Sequence, residues 1–224
     1  KTIMITSAVE AEGKSTTAAN LAAALARVGQ RVVLVDLDLR RPFLHKFFDL
    51  ENRPGLTQVA LGHAELAEAL TPVPIVRPGK LTDPLNELSN GNGHSKRRVE
   101  GVLEVLGSGP VPPNVDEFVG TRAVAEILRQ LRERADVVII DSTPLLVVGD
   151  AMALTGSIDA LMIVARINVV RRPMLRELQR VLDAIPARKL GFVLTGASSG
   201  EGYFGYDGYS YRHRSYARRP KERV

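Results

Sequence analysis

The sequence predicts an α/β fold: a doubly wound, mainly parallel sheet with helices on both faces. Three observations carry that expectation. Short runs rich in Val and Ile recur along the chain, segments with helical spacing separate them, and 45 % apolar content over 224 residues suffices for one sizeable core. Parallel neighbours need a long crossover between them, and the intervening helical segments supply it.

The strands read, in order, TIMITS (2–7), RVVLVD (31–36), VLEVL (102–106), DVVIID (136–141), ALMIVA (160–165) and KLGFVLT (189–195). The first helix is KSTTAANLAAALARV (14–28), with Leu21, Leu25 and Val28 on one face and Gly29 placed for a left-handed C-terminal cap. Further helices are predicted over 120–134, 149–156 and 172–185. LTDPLNELSNGNGHSKRR (81–98) reads as a polar loop. After Ala197 the chain is dominated by Gly, Tyr, Ser and Arg, a composition expected to stay disordered because it buries too little to offset ordering entropy. The predicted organisation is a folded domain over 1–197 and a flexible, tyrosine-rich, basic tail over 198–224.

Composition excludes several classes of function. Cysteine is absent, so there are no disulfides and no thiol catalysis, and a reducing compartment is favoured. No apolar run approaches the roughly 20 residues that cross a bilayer, and the sequence opens inside a strand without an initiating Met, as a piece of a longer protein would. The formal charge is +5, but residues 200–224 hold six Lys/Arg against three acids, so most of the excess belongs to the tail. No recognition motif accompanies these basic residues, and specific nucleic-acid binding is not expected.

The first strand runs directly into AVEAEGKS (Ala8 to Ser15), the spacing of a phosphate-binding loop. Gly13 lets backbone N–H groups approach phosphate, Lys14 sets a charge on the β and γ oxygens, Ser15 offers a hydroxyl to Mg²⁺, and the following helix turns its positive end to the anion. The backbone from Ala11 through Glu12 to Thr16 completes the expected cradle. The second strand ends in VVLVDLDLRRP, where Asp36 and Asp38, two residues apart in extended chain, point to one side. DVVIID delivers Asp141 to the end of a further strand. Ligands of open α/β sheets sit at the carboxyl ends of the strands, so one site can use Lys14, Ser15, Asp36, Asp38 and Asp141 together.

With TSAVEAEGKSTTAANLAAALARVGQRVVLVDLDLRRP, GSGPVPPNVDEFVGT and DVVIIDSTPLLVVGDAMAL, the chain resembles the bacterial tyrosine kinases, the cytoplasmic domains of capsule and exopolysaccharide chain-length co-polymerases. The resemblance lies in the three Walker motifs (A, A′ and B) and a Gly-Pro-x-Pro-Pro-Asn signature. It implies a P-loop NTPase fold of the deviant-Walker (SIMIBI) type, with ATP and Mg²⁺ as ligands. Lys14, Asp36 and Asp38 then match the catalytic positions, and Ser15, Asp38 and Asp141 the metal positions. The division of labour between Asp36 and Asp38 stays open. The resemblance also implies a homo-oligomeric ring, a membrane co-polymerase segment upstream or on a separate chain, a partner protein-tyrosine phosphatase, and a place at the cytoplasmic face of the bacterial inner membrane.

All five tyrosines, Tyr203, Tyr206, Tyr209, Tyr211 and Tyr216, lie in the tail, and the resemblance makes them phosphoacceptors for the kinase itself. Two further readings remain: an ATPase switch in which water is attacked, and a nucleotide-binding module with weakened catalysis. The partition and division-site ATPases carry an extra lysine five residues before the conserved one, where this chain has Val9. Departures from the kinase pattern are Glu10-Ala11 in place of Pro-Gly, and Thr143 in place of a proline. Ala11 is expected in a left-handed conformation costing on the order of 1 kcal/mol, and Glu10 and Glu12 are expected to flank the phosphate cradle with negative charge. EILRQLR (126–132) has the spacing of the family's oligomerisation signature in the wrong place and reads as a solvated helix face.

Overall fold

The structure, a computed structural model, describes residues 1–50, 53–75 and 101–197. The predicted polar loop at 81–98 and the tail at 198–224, with its five tyrosines, lie outside the described residues.

Among the described residues seven strands form one sheet: β1 (Thr2–Ser7), β2 (Arg31–Asp36), β3 (Leu70–Val73), β4 (Val102–Leu106), β5 (Val137–Asp141), β6 (Ala160–Arg166) and β7 (Arg188–Thr195). Their order is β3-β4-β2-β5-β1-β6-β7, and every pair is parallel except β3 with β4. The six strands predicted are all present. Pro72 lies within the seventh, β3, which is tolerated because among the described residues β3 stands at the sheet edge with a single neighbour.

Alternation along the strands sends side chains to two separate cores. Met4, Val33, Val35, Val138 and Ile140 face one side, where α6 (Arg122–Arg134) and α8 (Arg172–Ala184) bring Ile127, Leu128, Leu131, Leu178 and Leu182. Ile5, Val32, Leu34 and Ile139 face the other, against α1 (Lys14–Arg27). A sheet buried on both faces explains why its strands are continuous apolar runs rather than alternating ones.

α1 corrects one expectation. Its buried face is the alanine stripe Ala18, Ala22 and Ala26, with Ala19, while Leu21 and Leu25 are half-buried and Val28 is 75 % exposed. Small residues four apart let the helix lie close on the sheet, so the leucines flank the contact instead of filling it. Gly29 takes the left-handed cap as predicted, at φ 98°.

α6 has a solvated face, on which Arg129 pairs with both Glu126 and Glu133, while Arg132 reaches Asp159. Four short helices went unpredicted: α2 (Leu44–Phe48), α3 (Leu56–Ala60), α4 (Leu66–Ala69) and α5 (Val115–Val119). The helix expected over 149–156 is α7 (Asp150–Ala153) followed by a 3₁₀ turn, Thr155–Ser157. No helix among the described residues is long and apolar enough to cross a membrane.

Candidate active site

The phosphate-loop residues connect β1 to α1. Gly13 sits at φ 94°, ψ 22°, a region closed to most side chains, and begins α1 without a side-chain cap. The first N–H groups of α1 therefore have no intrahelical partner, and no acidic residue occupies the first turn. The local chemistry is that of an anion site. Ser15 is half-buried there, with Thr16 exposed beside it.

The loop is held from beneath by contacts between residues far apart in sequence. The Glu12 carboxylate is fully buried and accepts the Val9 N–H at 2.8 Å and the Arg166 N–H, at the end of β6, at 3.1 Å. The Glu12 carbonyl accepts the Thr195 hydroxyl, at the end of β7, at 2.7 Å, and the Ala11 carbonyl accepts an Arg166 guanidinium N–H at 3.3 Å. Glu12 thus does not turn its charge on the cradle, as the sequence suggested; its carboxylate fastens the loop to the end of β6, and its backbone carbonyl to the end of β7. Glu10 is likewise drawn aside, paired with Arg41. Ala11 does adopt the left-handed conformation, at φ 60°. Ala11→Gly is expected to raise stability by up to about 1 kcal/mol by relieving that strain, read as an increase in chemical-denaturation midpoint; an unchanged or lower midpoint contradicts it.

Three carboxylates converge behind Lys14. Asp36 and Asp141 are register partners across β2 and β5, and both side chains are buried. One Asp36 oxygen accepts the Phe43 and Leu44 N–H groups at 3.1 and 3.0 Å, which folds the loop after β2 back over the site. Its other oxygen, and both oxygens of Asp141, are buried with no hydrogen-bond partner among the described residues. Asp38 accepts the Arg41 N–H at 3.2 Å, and its second oxygen lies 3.7 Å from Lys14 Nζ. Lys14 is itself buried.

Burial, with the Asp141 charge adjacent, pushes the Asp36 carboxyl up to about 8, against the pull of its two backbone N–H bonds. Burial likewise pushes Asp141 up to about 7, opposed by the Ser15 hydroxyl and the Lys14 charge. That hydroxyl acts on Asp141 without a hydrogen bond of ordinary geometry, so burial prevails. Asp38 is raised by burial and held back by Lys14.

Unpartnered buried carboxylate oxygens call for a cation. Among the described residues no three His, Asp or Glu side chains group to hold a metal by themselves, so a Mg²⁺ here would keep much of its shell in phosphate and water oxygens. The residues fit that role: the Asp141 and Asp38 carboxylates and the Ser15 hydroxyl lie by the loop between β1 and α1 and could each contribute, directly or through water.

The raised values have a consequence for stability. A carboxyl bound more tightly to its proton in the folded state than at its unfolded value near 3.9 stabilises fully below that pH, and the contribution is lost as pH rises through 7 and 8. Without metal, the melting temperature of Asp36→Asn should therefore climb relative to the unsubstituted chain between about pH 4 and pH 8. Calorimetry across that range checks it, and a constant difference contradicts it.

Sequence reading missed two site features. Arg40, in the loop after β2, donates to Asp150 at 2.8 Å and to Asp116 at 2.6 Å, tying that loop to α7 and α5. The other is the Glu12, Arg166 and Thr195 clamp. Asp116 and Asp150 lie inside quoted motifs, but nothing in their spacing names Arg40 as partner.

The comparisons with known proteins agree with this geometry. Residues 3–197 match the model of the CobQ/CobB/MinD/ParA nucleotide binding domain. The tyrosine-protein kinase YwqD of Bacillus subtilis is 34 % identical over 209 residues, covering 92 % of this chain and 78 % of that one. The chain belongs to the bacterial tyrosine-kinase branch of this family. Within the branch, the tyrosine-protein kinase etk of Escherichia coli K12 is 30 % identical over 167 residues, which are 75 % of this chain and 20 % of that longer one. The solved kinase domain of Escherichia coli ETK superposes with a TM-score of 0.71 at 26 % identity, covering 93 % of this chain and 72 % of that chain. The family carries the nucleotide-binding fold that the phosphate loop and carboxyl-edge acids had implied.

Proposed function

We propose that the chain is an ATP- and Mg²⁺-dependent protein-tyrosine kinase that phosphorylates the tyrosine cluster of its own 198–224 segment, or the same segment on another copy. Residues 1–197 form the kinase domain and the remainder is the substrate segment. The observation that carries this reading is the pair of strand-end carboxylates, Asp36 and Asp141, buried near Lys14 with oxygens that have no hydrogen-bond partner among the described residues. A purely structural acid pair would have its oxygens satisfied.

Lys14 Nζ, now held by Asp38, is within reach of the β and γ phosphates, and the α1 N–H groups take the oxygens that Lys14 does not. A Mg²⁺ held here would supply neutralisation of the charge spread over the transferring group. Ser15, Asp38 and Asp141 are its proposed protein contacts, direct or through water. The free Asp36 oxygen accepts the hydrogen bond of the incoming tyrosine hydroxyl. As the phenolic oxygen bonds to the γ phosphorus and the bond to the ADP oxygen breaks, the phenolic proton passes to Asp36. A carboxylate whose burial raises its pKa is a better proton acceptor than an exposed one.

Thr195, three residues before the proposed substrate segment in sequence, donates to the phosphate-loop carbonyl of Glu12.

A ring of copies, a membrane co-polymerase segment, a phosphatase that resets the tail and a site at the cytoplasmic face of the inner membrane complete the proposal, with control of capsule or exopolysaccharide export as its purpose. Each phosphotyrosine adds about 1.5 to 2 negative charges, so a fully modified tail turns from basic to strongly acidic. Val9, in place of the extra lysine, argues against the ATPase switch. The test is to measure phosphotransfer and hydrolysis on one preparation: transfer exceeding hydrolysis supports the kinase, hydrolysis without transfer the ATPase, and neither the regulatory module.

A further inference from the structure

A cavity of about 590 Å³ opens at the carboxyl end of β4, one strand outward from Asp36. The two are joined through the backbone. Phe43 and Leu44 donate to the Asp36 carboxylate, and Pro42 and His45, immediately on either side, line the cavity. Its floor is Gly107–Pro110, onto which α3 packs so closely that a Cβ on Gly55 would stand 2.2 Å from the Gly109 nitrogen. The cavity is thus built into the fold around a glycine contact that admits no side chain.

Its lining has two chemistries. Pro42, Pro54, Pro110 and Leu50 present flat apolar surface. Arg53, His45 and His63 present N–H donors, one of them on a permanent cation, and no carboxylate lines the cavity among the described residues. Thr71, on β3, adds a hydroxyl buried without a hydrogen-bond partner among the described residues. An apolar slot beside a guanidinium and several donors is suited to a flat ring carrying a dianion. An unmodified tyrosine would leave the donors unsatisfied, and a bare phosphate would leave the apolar walls unfilled.

We propose that this cavity binds a phosphotyrosine of a tail already modified once, so that the next tyrosine is presented to Asp36. The inference rests on the kinase reading for its source of phosphotyrosine. Spacing in the substrate fits: Tyr203, Tyr206 and Tyr209 are three residues apart, and three extended residues span about 10 Å, a reach of one or two strands across a sheet edge. The first transfer is then slow and later ones are assisted, which makes phosphorylation of the cluster processive.

Two measurements on the full chain test this. In the first, a labelled GYFGYDGYS peptide phosphorylated at Tyr206, its unphosphorylated counterpart and inorganic phosphate are titrated against the nucleotide-free protein. The phosphopeptide is expected to bind at least about ten-fold tighter than either, and Arg53→Glu is expected to erase the difference while leaving Mg²⁺–ADP binding intact. Should Arg53→Glu unfold, His63→Ala serves in its place, with a smaller loss. Equal binding of the two peptides, or a phosphate preference that survives both substitutions, overturns the proposal. In the second, intact mass spectrometry follows the early reaction with ATP. Multiply phosphorylated chains should appear beside unmodified ones, whereas Arg53→Glu should accumulate singly phosphorylated chains at an unchanged rate of first transfer. A statistical, one-at-a-time pattern in the unsubstituted protein overturns the assistance. A chain that transfers no phosphate contradicts the kinase reading, and the peptide titration then decides the cavity by itself.

Discussion

Lys14→Met is expected to reduce phosphotransfer by at least about 10³, to the limit of detection, without unfolding the protein. The ammonium lies 3.7 Å from Asp38 and its charge also acts on Asp141, and its methionine replacement keeps the length and the apolar stem. Folding should survive although Lys14 is buried, because the carboxyl it leaves behind can change its charge state. Asp38 is already raised by burial, and Lys14 is the largest influence holding it down, so removing the ammonium raises it further and makes protonation of the carboxylate left behind easier. Circular dichroism and melting check the fold, and radiolabel incorporation checks the activity. Retained transfer in a folded variant would remove the phosphate loop from the mechanism.

Asp36→Asn should lower turnover by about 10² to 10⁴, the usual range for loss of a general base, with Mg²⁺–ADP affinity changed far less. An asparagine can keep its carbonyl oxygen on the Phe43 and Leu44 N–H groups, so the loop after β2 retains its closure. What disappears is the free oxygen's capacity to accept a proton. Asp141→Asn provides the contrast, since a loss there should fall on Mg²⁺–nucleotide binding. If Asp36→Asn weakens binding as much as turnover, Asp36 belongs to the metal and the proton goes elsewhere.

Much of this arrangement was legible before the fold was seen. Val/Ile runs ending in Asp36 and Asp141 are strands buried on both faces, and the rule that ligands sit at their carboxyl ends brings those acids to Lys14. β3 escaped because a four-residue edge strand containing proline has no alternation to detect. α2 to α5 escaped because helices of four or five residues do not complete the period by which helices are recognised.

Other misses concern distance along the chain. Glu12 looked like a charge facing phosphate because its partners, the Arg166 N–H and, through its carbonyl, Thr195, lie more than 150 residues away. Local spacing cannot show that a side chain is turned inward. Arg40 was visible as part of a motif, but its grip on Asp150 and Asp116 depends on α5 and α7 meeting at the same edge. The α1 face was misassigned for another reason. Leucine suggests the buried side by hydrophobicity, whereas close helix-to-sheet contact here selects alanine.

The central claim is that this site transfers phosphate to tyrosines of the 198–224 segment. The measurement is to incubate the chain with ATP and Mg²⁺ and locate phosphate by mass spectrometry, with a mixture of an active chain lacking residues 198–224 and a full-length Lys14→Met chain run in parallel. Phosphate is predicted on several of Tyr203, Tyr206, Tyr209, Tyr211 and Tyr216 in the active chain, and on the same residues of the inactive chain when transfer passes between copies. ATP consumption with no phosphotyrosine in either reaction would contradict it.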